Sequence, residues 1–135
     1  MSVSPADRRA QALALLEQLE PAAPGRVAKN LDDFHPDAAG ILLGFAFTDV
    51  LAREGMPLKT REMLTVAMLA AMGTAPGQLE FHMRAALNTG ITRDEIVEIV
   101  LQVAVCAGVP AAMNAITAAK SAFTSRKPAG REKGA

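Results

Sequence analysis

Between Thr92 and Cys106 the chain sets a condition that few folds can meet. Thr92 and Glu95 form a T-x-x-E capping box, and the helix it opens carries Ile96, Val97, Ile99, Val100, Leu101, Val103, Ala104 and Val105. At about 100° per residue these positions occupy most of the circumference, so the helix has no wide polar face. A helix of this kind must be covered on several sides by other helices, and in a short chain complete coverage calls for a partner subunit. The expected state is therefore a homo-oligomer.

The neighbouring segments supply the covering helices. Lys59 to Met72 is helical in pattern and stops at Gly73; Thr74 and Pro76 stand where an N-cap and an early helical proline belong, and the next helix runs to Asn88 or Thr89 with Gly90 as its stop. Gly108-Val109-Pro110 precedes a last helix from Ala111 to about Phe123. Upstream, Ser4-Pro5 starts a helix reaching Glu20. The segment Pro21 to Gly25 interrupts the pattern, Val27 to Phe34 forms a short helix, and Asp37 to Glu54 forms a longer one closed by Gly55.

The expected fold is all-α, a compact bundle of about six helices in one domain over residues 1–125. A disordered tail follows at 126–135, because SRKPAGREKGA offers no large apolar anchor. Composition agrees. Half of the 135 residues are apolar but only 4% are aromatic, with no Trp or Tyr, which suits close helix packing better than sheet layers.

Charge and cysteine content exclude several function classes. Lys plus Arg and Asp plus Glu both number 14, leaving no electrostatic footprint for nucleic acid. Cys106 is the only cysteine, so neither an intramolecular disulfide nor a thiolate metal cluster can form. Embedded among Val103, Val105 and Ala107, it reads as a buried, inert thiol. No export signal and no membrane-spanning run is apparent, so the expected location is the cytoplasm.

Two residues stand out as possible chemistry. His82 lies mid-helix on one edge of the apolar stripe formed by Leu79, Met83, Ala86 and Leu87, and shares that edge with Gln78, Ala85 and Thr89. On the preceding helix Glu62 is in line with Val66 and Leu69, which aims its carboxyl group at apolar surface, a setting for proton exchange. Each also has a plain reading: an interface histidine and a first-turn acid favoured by the helix dipole. Arg61 and Arg84 are the nearest cations in sequence and could hold a substrate carboxylate. Glu80 lies about 160° around the helix from His82 and cannot line the same pocket from one subunit. Glu95, Glu98 and Gln102 form a polar stripe, solvated or interfacial. His35, before Pro36, is a surface residue. No HExxH, phosphate loop or Ser/His/Asp constellation is present.

The segments LAREGMPLKTREMLTVAMLAAMG and QLEFHMRAALNTGITRDEIVEIVLQVAVCAGVPAAMNAI together resemble the carboxymuconolactone decarboxylase family, across Val50 to Phe123. In the related alkylhydroperoxidase D-like peroxidases a C-x-x-C pair precedes the helical histidine, which relays protons with a glutamate of the preceding helix. That glutamate falls on Glu62 and that histidine on His82. The cysteine positions fall in Thr74 to Gln78, which contains none. Without a thiolate there is no nucleophile for a peroxide, which disfavours thiol peroxidase chemistry.

The resemblance implies the decarboxylase branch: cofactor-independent loss of CO2 from 4-carboxymuconolactone, in the protocatechuate/β-ketoadipate route of aromatic catabolism. His82 would then be the proton donor or oxyanion partner and Glu62 its orienting group. Arg61, with Gln78 and Arg84, would bind the small-molecule carboxylate or lactone substrate, without metal or other cofactor and without a membrane or nucleic-acid partner. The resemblance also implies a trimer or hexamer. Two alternatives remain at this point: a family member acting on another small molecule, and a non-catalytic oligomeric binding or stress protein.

Overall fold

The computed structural model describes residues 4–125. Among them there are seven helices and no strand: α1 (Pro5–Leu19), α2 (Ala23–Phe34), a π-helix (Ala39–Leu51), α3 (Leu58–Met72), α4 (Pro76–Asn88), α5 (Arg93–Ala107) and α6 (Val109–Ser125). The fold is all-α. The tail expected to be disordered, 126–135, lies outside the described residues. The chain forms two units, one up to Leu58 and one from Lys59 onward.

In the first unit α1 begins as its sequence requires. The Ser4 hydroxyl accepts from the Asp7 backbone N–H, and Pro5 takes the first turn, where no amide hydrogen is needed. Helix α2 starts at Ala23, four residues earlier than the pattern suggests, because Pro24 in the first turn is compatible with helix. The segment expected as an α-helix to Glu54 is wider and shorter. Its end carries a bond from the Ala52 N–H to the Phe47 carbonyl, five residues back, and Arg53 and Glu54 fall in the turn that follows. It is tied to α1 by Arg8, whose guanidinium makes two 2.7 Å bonds to the Asp49 carboxylate, and by the Thr48 hydroxyl donating to the Arg8 carbonyl. The pair with Arg8 holds the Asp49 carboxyl below its ordinary value. Gly44 makes this approach possible, since a Cβ there would lie 2.9 Å from Arg8 Nη2.

The second unit contains the candidate chemistry. Its core joins Val66 and Ala70 of α3, Leu79, Met83 and Ala86 of α4, Ile96 and Val100 of α5, and a row of small residues on α6, Ala112, Ala115, Ala119 and Ala122. Alanine on the inward face lets α6 lie close to α4 and α5. Two turns fix the order of these helices. After α4 the Ile91 N–H donates to the Ala86 carbonyl and the Gly90 N–H to that of Leu87, with Gly90 at φ +104° and Ile91 buried. This is a Schellman termination, in which the left-handed residue is glycine and the next apolar residue returns to the core.

The Thr92–Glu95 capping box is present in both directions at 2.9 and 3.0 Å, and the bond from the Thr92 backbone holds the Glu95 carboxyl below its ordinary value. Thr74 does not cap α4. Pro76 occupies the first turn and the residue before a proline is driven extended, so Ala75 takes the cap position without a side-chain bond.

Candidate active site

Helix α3 presents Glu62 inward. Val66 and Ala70, one and two turns further on, share its side of the helix, and all three are buried. From α4, His82 reaches the same place: its Nδ1 is 2.8 Å from Glu62 Oε1. The carboxyl-bearing side chain is 0% exposed and the imidazole 13%. The carboxyl aimed at apolar surface is thus wholly buried. The edge of the Phe81 ring meets the His82 ring at 85°, with centroids 4.9 Å apart, and restricts its rotation.

Two atoms of the pair are left over. Glu62 Oε2 is buried and has no hydrogen-bond partner among the described residues. Because Nδ1 is committed to Glu62, Nε2 is the ring nitrogen left to meet a ligand. One hydrogen bridges Oε1 and Nδ1. When Nε2 carries a second, the pair is neutral overall, which avoids placing an uncompensated ion in the interior. In that form the pair can donate a hydrogen bond or a proton and then recover it.

The other residues marked by the sequence do not all gather here. Gln78 is exposed on α4, one turn before His82 on the same edge. Arg61 is partly buried beside Glu62 on α3, its carbonyl accepting from the Thr65 hydroxyl at 2.9 Å. Arg84 lies about 200° around α4 from His82. It is ion-paired with Glu80 at 2.8 Å and stands 5.9 Å from the Phe81 ring centre, so one chain does not bring Arg84 and His82 to the same face. His35 is exposed, as expected, and its Nδ1 accepts from the Asp37 N–H.

Cys106 corrects the sequence reading, because it is exposed. Its position on α5 falls between the buried face, marked by Ile96, Val100 and Val103, and the exposed Val105, so apolar neighbours in sequence do not enclose it. It lines an apolar groove of about 540 Å³ between α3 and α5, a feature that no single-helix pattern reveals. No cluster of three or more His, Cys, Asp or Glu side chains suited to a metal occurs among the described residues, and no described helix is long and apolar enough to cross a membrane.

Comparison with known proteins places the chain in a family. The chain is 38% identical over 98 residues to "4-carboxymuconolactone decarboxylase" of Acinetobacter baylyi, covering 73% of this chain and 72% of that one. It is 34% identical over 96 residues to a 15.0 kDa protein of the nqo9-nqo10 intergenic region of Paracoccus denitrificans, covering 70% and 72%. It is 32% identical over 88 residues to "Nitrosuccinic acid decarboxylase npaB" of Metarhizium robertsii, covering 65% and 61%. The model of the carboxymuconolactone decarboxylase family matches residues 36–121, a stretch that contains both Glu62 and His82. The chain belongs to the carboxymuconolactone decarboxylase family.

Proposed function

We propose that this protein is a carboxy-lyase that needs no cofactor and acts on 4-carboxymuconolactone or a close relative, in the cytoplasmic breakdown of aromatic acids. The observation that carries the reading is the 2.8 Å contact between His82 Nδ1 and the buried Glu62 carboxyl. Support comes from the 38% identity to a protein named for that activity. In the reaction the bond between the ring carbon and the carboxylate breaks, and its electron pair moves through the ring double bond onto the lactone carbonyl oxygen. CO2 leaves. His82 Nε2–H donates to the developing oxyanion or delivers the proton that carbon then takes up, while Glu62 fixes the ring and balances its charge. Arg61 and Gln78 receive the substrate's carboxylate. Arg84 takes part only if an assembly brings it beside the His82 of a neighbouring copy.

A second reading is favoured by the relative named for nitrosuccinic acid. A nitro group, like a conjugated lactone, can hold the electron pair left by CO2 on oxygen, so the same donor serves another acid of this kind. The assembly proposed for either reading is a trimer or hexamer. It is supported by Val97, Leu101 and Val105 of α5, which are 45%, 57% and 74% exposed on a single chain. Incubation with 4-carboxymuconolactone, following CO2 release and loss of substrate, tests the first reading; release from nitrosuccinate alone would favour the second.

A further inference from the structure

We propose that the groove between α3 and α5 is the seat of a second copy of this chain, which inserts the outer edge of its α6 head to tail and pairs Lys120 of one copy with Glu98 of the next. This rests on the oligomeric reading above and specifies its contact.

The groove is separate from the His82–Glu62 pair. Its α3 wall includes Ala67 and Ala71, about 140° and 180° around that helix from Glu62. The α5 wall is Glu98, Gln102 and Cys106 above Ile99. The wall is thus apolar at its base, acidic at the end nearest the start of α5, and uncharged at the other.

The outer edge of α6 has the matching pattern. Val109, Met113, Ile116 and Lys120 recur at i, i+4, i+7 and i+11 and so form one stripe. The first three are 63%, 62% and 41% exposed, and Lys120 is exposed as well. From Val109 to Lys120 is eleven residues, as it is from Glu95 to Cys106; at about 1.5 Å per residue each stripe is roughly 16 Å long. Neither Lys120 nor Glu98 has an ion-pair partner among the described residues. Charge therefore sets the direction: Lys120 lies opposite Glu95 and within a lysine's reach of Glu98 one turn on, with Met113 opposite Gln102 and Val109 opposite Cys106.

Area argues for a protein occupant in place of a small molecule. Five large apolar side chains on these two surfaces, Leu64 and Met68 in the groove and Val109, Met113 and Ile116 on the α6 edge, are between 41% and 63% exposed. Because every copy would bury both surfaces, the contact draws on apolar area at two places on each chain, as an extended protein interface does and a small ligand does not. Groove and α6 edge are different surfaces of one chain, so the contact is heterologous and repeats until a ring closes.

Cross-linking tests the contact. With Cys106→Ser removing the native thiol, the double substitution Gln102→Cys and Met113→Cys should, on mild oxidation, give a ladder beyond dimer that converges on one closed species, while either single cysteine gives none. Lys120→Glu should weaken assembly about tenfold or more in sedimentation, and adding Glu98→Lys should restore it. A wild-type monomer at micromolar concentration would remove both the oligomeric reading and the contact, as would a monomer whose groove takes up an apolar dye. An oligomer that gives no ladder, stops at dimer, or ignores the charge reversal would remove the contact alone.

Discussion

Glu62 and His82 stand twenty residues apart in sequence and 2.8 Å apart in space, with the carboxyl group wholly enclosed and the imidazole 13% open. The relation is directional: the buried partner sets the ring, and the part of the ring that stays open is the side away from Glu62. Glu62→Gln keeps the shape and one hydrogen bond but cannot exchange a proton with Nδ1. The expected result is a folded protein whose kcat falls roughly 10- to 100-fold. Equal thermal midpoints for the two proteins, measured beside the kinetics, would locate the loss in chemistry and not in folding.

Arg61 precedes Glu62 on α3 and is proposed to hold the substrate's carboxylate. A clamp of that kind grips ground state and transition state alike, so Arg61→Ala should raise KM about tenfold or more and leave kcat within a few-fold. Steady-state kinetics on the substrate identified for the unmodified protein separate the two constants. A large fall in kcat at unchanged KM would assign Arg61 to the chemical step.

The capping box of α5 gives a pH-dependent prediction. The Glu95 carboxyl is held below its ordinary value chiefly by the Thr92 backbone N–H, so it binds its proton less readily folded than unfolded. The stability this provides is complete above the ordinary carboxylate range and fades as pH falls through the lowered folded value. Thr92→Ala should cost about 1 kcal/mol at neutral pH. The difference between wild type and Glu95→Gln should shrink in acid. Denaturant melts at neutral and acidic pH read both, and a difference that grows in acid would contradict the assignment.

Gly90 stands at φ +104° in the turn that lets Ile91 re-enter the core. A Cβ there meets nothing within 4 Å, so strain in the backbone and not crowding decides the outcome. Gly90→Ala should lower stability by roughly 1–2 kcal/mol. Gly55→Ala, also with open space but without a positive φ, should change it by less. Urea unfolding of the two variants makes the comparison.

Much of the second unit is legible in its sequence because local signals there agree. The capping box at Thr92 and the glycine stops at Gly73 and Gly90 each have one physical solution, and of the two readings open for Glu62 the inward one, in line with Val66, is the one the structure shows. Thr74 misleads because a good capping residue stands one position too far from a proline that fixes the start of α4. Cys106 misleads for a different reason. Neighbours in sequence are not neighbours around a helix, and its side of α5 opens onto the groove. The His82–Glu62 contact could not be read from either helix alone, since spacing shows which way a side chain points but not what meets it. The widening of Ala39–Leu51 to a π-helix has no local signal in the sequence, because no residue type there marks the change of hydrogen-bond register.

The most direct measurement is the kinetics of His82→Asn on 4-carboxymuconolactone, once turnover by the unmodified protein is established. Asparagine leaves a hydrogen-bonding group beside Glu62 and should cost little stability, ~1 kcal/mol. The expected result is a fall in kcat of about 10²- to 10⁴-fold with a smaller change in KM, because the donor acts on charge that develops only as CO2 departs. A variant that decarboxylates within a few-fold of the wild-type kcat would show that His82 only packs against Glu62 and carries none of the chemistry.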